Sequence, residues 1–363
     1  MYFPSVIVLL FAALVNAELN TIIQLPEACD GGYCVPKHLC PTGRANNVPV
    51  LGQNGVIALE VDEDNECGDF MKICCKDSNT ISNMTDYKCG ISNPQGLVYQ
   101  VRSNLTYAKY AEFPWTVAIF EITSSSEERE LTFAGVGTLI HPKFVVTAAH
   151  TLNDSTRYIA RFGEWNLESD AEIYPTREID IQVNCHFPLF GRKFTHEYDI
   201  AFAFLKEPVI YTEHIRPICV PSEQEIFVGK RCIAAGWGWD PRTGQSASIM
   251  KRMELKVVHR RRCEVLNRRL GIRHPQHRDF MCAVAAGDQN ACIKEGGTPL
   301  VCQRDDGSYV LAGIALRRLD CEQSDDPAVF VNVTKFADWL HDTPELYDEW
   351  RAKKENKTLE NGN

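Results

Sequence analysis

The chain has 363 residues, 44% of them hydrophobic, and a formal net charge of −10. That length holds one large domain and a small one. The acidic balance excludes general nucleic-acid binding, and no apolar run is long enough to cross a bilayer as a helix.

Residues 1–17 read as a signal peptide. The apolar run Val6–Val15 is followed by the small-residue end Asn16-Ala17. Fifteen cysteines behind such a start point to an oxidising, extracellular setting. The sequons at Asn83, Asn104, Asn153, Asn332 and Asn356 are glycosylation candidates that fit the secretory route. The expected location is therefore secreted.

Six cysteines follow at Cys29, Cys34, Cys40, Cys67, Cys74 and Cys75, marking a small domain over 28–76. A segment of that size buries too little apolar surface to fold alone, so disulfides hold it. Spacing does not choose among the possible pairings. Zinc would be the competing use of clustered cysteines, but no histidine pair is suitably spaced.

Residues 77–100 are polar, with Asn93-Pro94-Gln95-Gly96, and read as a linker carrying the lone Cys89. Over 101–342 the pattern is one of short β-branched or aromatic runs between turn signals. Examples are 116–120, 144–147, 201–205, 232–235 and 309–314. This spacing predicts an all-β barrel or sandwich domain rather than βαβ units. Helices are predicted at 262–270 and from Thr334, carrying Phe336, Trp339 and Leu340. Residues 343–363 form a C-terminal extension. Thr343-Pro344 reads there as the cap and first turn of a short helix, and the last residues are polar.

One charge cluster stands against the acidic background. His259-Arg260-Arg261-Arg262, Arg268-Arg269, Arg273 and Arg278 form a basic island. It is either a solvated helix face or a docking patch for an acidic partner.

Three motifs occur in a telling order: Thr147-Ala148-Ala149-His150, then Asp199-Ile200-Ala201, then the Cys292–Cys302 loop with Gly296-Gly297-Thr298-Pro299. Phe113-Pro114-Trp115 and Cys232-Ile233-Ala234-Ala235-Gly236-Trp237-Gly238 add to them. Together these resemble chymotrypsin-like serine proteases. The N-terminal cysteine pattern, with Tyr33-Cys34-Val35-Pro36 and the Cys74-Cys75 pair, resembles an arthropod clip domain. The resemblance implies an all-β chymotrypsin-like double barrel behind a small disulfide-rich clip domain.

It also implies a general base at His150, oriented by Asp199. The usual loop pattern is C-x-G-D-S-G-G-P-L-V-C. Aligned on its cysteines and Pro299, the nucleophilic serine falls on Gly296, and glycine has no atom with which to attack a carbonyl. His150 and Asp199 would then persist as a hydrogen-bonded structural pair.

Other positions depart in the same direction. Lys294 replaces the glycine whose amide helps hold the oxyanion. Glu295 replaces the aspartate that pairs with a new N-terminus, and Arg102-Ser103-Asn104-Leu105 stands where Ile-Val-Gly-Gly would insert. Asn290 takes the pocket floor, and Leu316-Arg317-Arg318 replaces the Ser-Trp-Gly wall. Thr298, two residues past the elbow, is the substitute nucleophile to weigh; its side chain is expected to point away from His150.

The resemblance implies Cys29–Cys74, Cys34–Cys67, Cys40–Cys75, Cys89–Cys219, Cys232–Cys302, Cys263–Cys282 and Cys292–Cys321. The disulfide usually flanking the histidine is lost on both sides, at Gly135 and Thr151. Cys185 is left over, either as a buried free thiol or as an intermolecular bridge.

A clip-domain serine protease homologue implies a catalytically silent haemolymph protein with no cofactor and no metal. It would regulate a protease cascade controlling prophenoloxidase activation and melanisation, or recruit a complement-like protein. Its partners would be clip proteases, prophenoloxidase or a complement-like protein. The alternatives are direct binding to microbial surfaces and residual hydrolysis with another nucleophile. Cleavage in the linker or after Arg102 would release or re-site the clip region rather than switch on chemistry.

Overall fold

The computed structural model describes residues 28–29, 32–36, 72–75, 88–97, 107–123, 129–169, 172, 174–190, 197–240, 245–269, 279–286, 295–316 and 327–343. The chain divides into two compact units, Met1–Asp86 and Tyr87–Asn363. The division falls inside the polar segment 77–100.

The first unit contains a three-stranded antiparallel sheet of β1 (Ala28–Cys29), β2 (Gly32–Pro36) and β3 (Lys72–Cys75). Cys34 and Cys74 are directly opposed in its register. Cys74 is disulfide-bonded. Of the predicted clip pairings, Cys34–Cys67 and Cys40–Cys75 involve residues 67 and 40, which lie outside the described residues, as do the signal segment and the sequons at Asn83, Asn104 and Asn356.

The second unit is a pair of closed six-stranded antiparallel barrels. The first comprises β4 (Thr116–Ile122), β5 (Leu131–His141), β6 (Phe144–Thr147), β7 (Tyr158–Phe162), β8 (Arg177–His186) and β9 (Ala201–Leu205). It closes in the order β4-β5-β6-β9-β8-β7. Register shifts at Ile119/Phe120, Leu139/His141 and Ile181/Val183 supply the local bends that a closed sheet needs.

The second barrel follows with β10 (Arg231–Gly236), the hairpin of β11 (Trp239–Asp240) and β12 (Gln245–Ser246), and β13 (Lys251–Val258). It continues with β14 (Phe280–Ala285), β15 (Pro299–Gln303), β16 (Tyr309–Ala315) and β17 (Ala328–Asn332). Its order is β10-β13-β14-β17-β16-β15. The helix α1 (Arg260–Arg269) interrupts the run between β13 and β14.

Small and large side chains alternate where the first barrel packs most tightly. In β9, Ala201 and Ala203 alternate with Phe202 and Phe204, and all are buried. Phe144 meets both phenylalanine rings edge-on, at 6.1 and 5.1 Å. Such alternation lets layers interdigitate inside a closed sheet.

The C-terminal segment closes over this barrel. The 3-10 turn Val333–Phe336 leads into helical backbone through Thr343, and Trp339 lies 4.7 Å from Phe202 and 5.2 Å from Phe187. Thr343 is the last described residue of that helical stretch. Pro344 and the rest of the extension lie outside the described residues.

Three disulfides fasten this unit among its described residues. Cys232–Cys302 joins opposed residues of β10 and β15. Cys263–Cys282 ties α1 to β14, and Cys89–Cys219 pins the segment 88–97 to the loop before β10. Cys185, on β8 opposite Phe202, is unpaired, and burial pushes its thiol pKa up.

The loop after β7 bridges the two barrels. Trp165 donates its indole N–H to the Ala108 carbonyl at 2.9 Å, and its own carbonyl accepts from the Trp237 indole at 3.0 Å. Glu164 beside it is buried. Burial, then the neighbouring Glu172 carboxyl, raises its pKa to about 7 despite the Arg161 guanidinium at 3.1 Å. His214 on the facing loop is lowered to about 4, chiefly by burial.

Candidate functional site

Each half of the cleft is built by a short turn at the end of a strand. β6 runs out at Thr147 into the 3-10 turn Ala149–Thr151, which carries His150. Asp199 stands just before β9 and is fully buried. Its Oδ1 accepts the His150 backbone N–H at 2.8 Å, and its Oδ2 lies 2.6 Å from Nδ1. One carboxylate thus anchors both the turn and the ring. With Nδ1 against the carboxylate, Nε2 is the nitrogen turned toward the opposite loop.

Asp199 has support that its motif does not announce. Tyr198 adopts a left-handed backbone (φ 58°), a costly state for a bulky residue. Its N–H donates to Asp279 Oδ2 at 2.9 Å, and Asp279 is buried. Its ring stacks on Phe187 at 5.5 Å. Asp279 is a positioning residue that the motifs did not single out, because no spacing rule ties a lone aspartate before β14 to a turn 81 residues earlier.

The opposite half is the turn 295–298 leading into β15. The Gly296 carbonyl accepts from Val136 N at 3.1 Å, and the Gly297 N–H donates to Ala315 O at 3.0 Å. Gly297 sits at φ +88°, and a Cβ there would overlap the Val136 carbonyl oxygen and the Thr147 hydroxyl. Only glycine fits. Thr298 is fully buried, and its hydroxyl donates to Glu295 O at 3.1 Å. That bond commits the side chain within its own loop.

The decisive geometry is at Gly296. A Cβ built there would overlap His150 Nε2 and lie 2.7 Å from Cε1. The imidazole occupies the place where a nucleophile's side chain would begin. Thr151 Oγ1, 3.2 Å from that same point, is the hydroxyl nearest to it. It is fully buried and has no hydrogen-bond partner among the described residues. Buried and unbonded to the imidazole, it is neither activated nor reachable by a substrate carbonyl. Thr151 Cγ2 also lies only 2.7 Å from where a Gly135 Cβ would stand, so the threonine fills the space facing that glycine.

On the pocket side, Leu316 is buried, and its N–H donates to Val329 O at 3.1 Å. It is packed into the hydrophobic core. Asn290, Lys294, Arg317, Arg318 and the Cys292–Cys321 pair lie outside the described residues. Of the described sequons, Asn153 is exposed, while the Asn332 side chain accepts from the buried Thr334 hydroxyl at 2.9 Å. No cluster of three or more His, Cys, Asp or Glu side chains able to hold a metal occurs among the described residues.

Comparison with known proteins agrees with this architecture. A family model described as Trypsin matches residues 104–340. The chain is 41% identical over 88% of its length to "Inactive CLIP domain-containing serine protease A8" of Anopheles gambiae, covering 90% of that protein. It is 34% identical over 92% of its length to "Inactive CLIP domain-containing serine protease A28" of the same species, covering 96% of it. To "Phenoloxidase-activating factor 2" of Galleria mellonella it is 34% identical over 70% of the chain and 88% of that protein. With its two closed barrels, the retained His150–Asp199 pair and these relatives, the chain belongs to the trypsin family as a clip-domain serine protease homologue.

Proposed function

We propose that the protein is a secreted, catalytically silent homologue that acts as a cofactor or regulator in the protease cascade leading to active phenoloxidase and melanin. The observation that carries the silence is Gly296: it offers no attacking oxygen, and the His150 ring fills the position from which one would project. Relatives named inactive serine proteases, and one named a phenoloxidase-activating factor, support the rest.

Binding needs a rigid body and accessible loops, not a nucleophile, and a double barrel supplies both. Its partners would be an active clip protease and prophenoloxidase. The domain limits 28–76, 77–100, 101–342 and 343–363 belong to the same proposal, as do the clip disulfides and Cys292–Cys321.

The test is reconstitution. Purified prophenoloxidase and an activating clip protease are combined with and without the full-length protein, and phenoloxidase activity is measured. The yield of active enzyme is expected to change with added protein and to change equally with a His150→Ala variant. No change at any ratio contradicts a role in this cascade. Retention on bacteria by the purified protein alone would assign it instead to the microbial surface. Capture of a complement-like protein would assign it to that branch.

A further inference from the structure

Away from the cleft, one surface is assembled against the charge balance of the chain. Arg231 of β10 and Lys256 of β13 are directly opposed in register, and both are exposed. Like charges facing each other across a ladder are unfavourable, and nothing in the barrel requires them there. Lys230 precedes Arg231 and accepts from Val257 N at 3.0 Å, while Gly229 donates to Val257 O at 2.9 Å. Three residues beyond Val257, α1 begins with Arg260, Arg261 and Arg262, all exposed.

Glu264 answers only part of this charge. It pairs with Arg260 at 3.2 Å and reaches Arg268 at 4.0 Å. Lys230, Arg231, Lys256, Arg261 and Arg262 make no ion pair among the described residues. A solvated helix face would account for Arg261 and Arg262 alone. It does not account for two opposed cations on the neighbouring strands.

The turn leading into β10 adds apolar surface beside that charge. Ile226 is 75% exposed, more than any other large apolar side chain among the described residues, and Val228 is 50% exposed. Between them Phe227 is buried and anchors the turn. Glu225 receives a two-pronged hydrogen bond from Arg304 at 2.8 and 2.7 Å and accepts from Ser222 N at 3.0 Å. Lys230 N closes the turn onto Phe227 O at 2.9 Å, and Gly229 takes φ +87°. The turn is held rigidly, with two aliphatic side chains facing water. Glu223 is the exposed acid of this loop.

We propose that the turn 226–229, the opposed pair Arg231 and Lys256, and the α1 arginines Arg261 and Arg262 form one docking surface for an acidic protein segment carrying apolar side chains. Complementary charge selects the acidic partner and speeds the encounter. Ile226 and Val228 select a polypeptide over a sulfated glycan, since a sugar chain has no aliphatic side chains to bury against them. The surface does not depend on the state of the cleft, so it stands whether or not the cascade assignment holds.

The test uses the full-length protein and fluorescence anisotropy with three probes. They are a labelled acidic peptide interspersed with leucine and phenylalanine, the same peptide with serine at those positions, and a heparin fragment. The apolar-bearing peptide is expected to bind about tenfold tighter than its serine counterpart and to weaken with added salt. The exposed double variant I226S/V228S should erase that difference while leaving the serine peptide's affinity unchanged. R261E/R262E should weaken both peptides by about tenfold or more. Unfolding temperatures of both variants should match the parent. Equal binding of the two peptides, with neither responding to I226S/V228S and heparin bound as tightly as either, overturns the proposal in favour of a general polyanion surface. No binding of the apolar-bearing peptide overturns it in favour of a solvated face.

Discussion

The two halves of the cleft carry different histories in their chemistry. On one side, His150 and Asp199 keep the arrangement of a working base and its orienting carboxylate. On the other, the loop keeps its hydrogen bonds and its left-handed glycine but presents hydrogen where an oxygen would stand. The parts retained are those that also hold the fold. Asp199 anchors the backbone of a turn, and Gly297 allows the loop to lie against Val136. The part that Gly296 lacks, a side chain facing the imidazole, would serve chemistry alone, and the His150 ring stands where it would begin.

That contrast predicts a ranking of mutational effects. The largest should come from Gly297→Ala, which forces a Cβ into the Val136 carbonyl at a positive φ. We expect a loss of about 3 kcal/mol or more, read by chemical denaturation. A mild effect would show that the loop is not held as described.

Asp199→Ala should come next, at about 2–4 kcal/mol, since it strips a buried acceptor from both the His150 amide and the ring. Asp199→Asn, which keeps the shape and one acceptor, should cost less. Equal stability of Asp199→Ala and the parent would mean that the pair persists without a structural reason.

Gly296→Ser should cost about 1–3 kcal/mol and restore no amidase activity, because its Cβ must displace the imidazole before any hydroxyl can be aligned. Turnover by that variant would show that the ring yields easily and that serine alone was missing.

The smallest effect concerns the bridging loop. Glu164 is raised to about 7, so the folded chain keeps a proton that the unfolded chain loses above about 4.5. Its contribution is complete below pH 4.5 and disappears as pH rises through 7. His214, held near 4, works the opposite way: stability falls as pH drops from 6.5 toward 4. From about pH 5 to about pH 8, the Tm of the parent should fall relative to Glu164→Gln by a few degrees. A constant difference would place the Glu164 carboxyl in its ordinary range.

Much of the fold could be read from the residues. The runs at 116–120, 144–147 and 201–205 stand out because both faces of those strands are buried, leaving unbroken apolar sequence. β8 did not stand out, since Arg177, Glu178, Asp180 and Gln182 interrupt its apolar positions. β5 does not stand out either, because Gly135 and Gly137 break its apolar run although its central residues are buried. His150, Asp199 and Gly296 were legible because short motifs fix their neighbours. The support from Tyr198 and Asp279 and the Thr151 methyl against Gly135 were not legible. These, and the placement of the His150 ring against Gly296, depend on contacts between distant segments, which no local pattern encodes.

The central claim is that no hydroxyl among the described residues of this cleft is both activated and reachable. An active-site-directed fluorophosphonate tests it most directly, with active trypsin as the positive control and intact mass as the readout. The account predicts that the full-length protein stays unlabelled while trypsin is modified completely. Stoichiometric labelling that disappears in His150→Ala would contradict it.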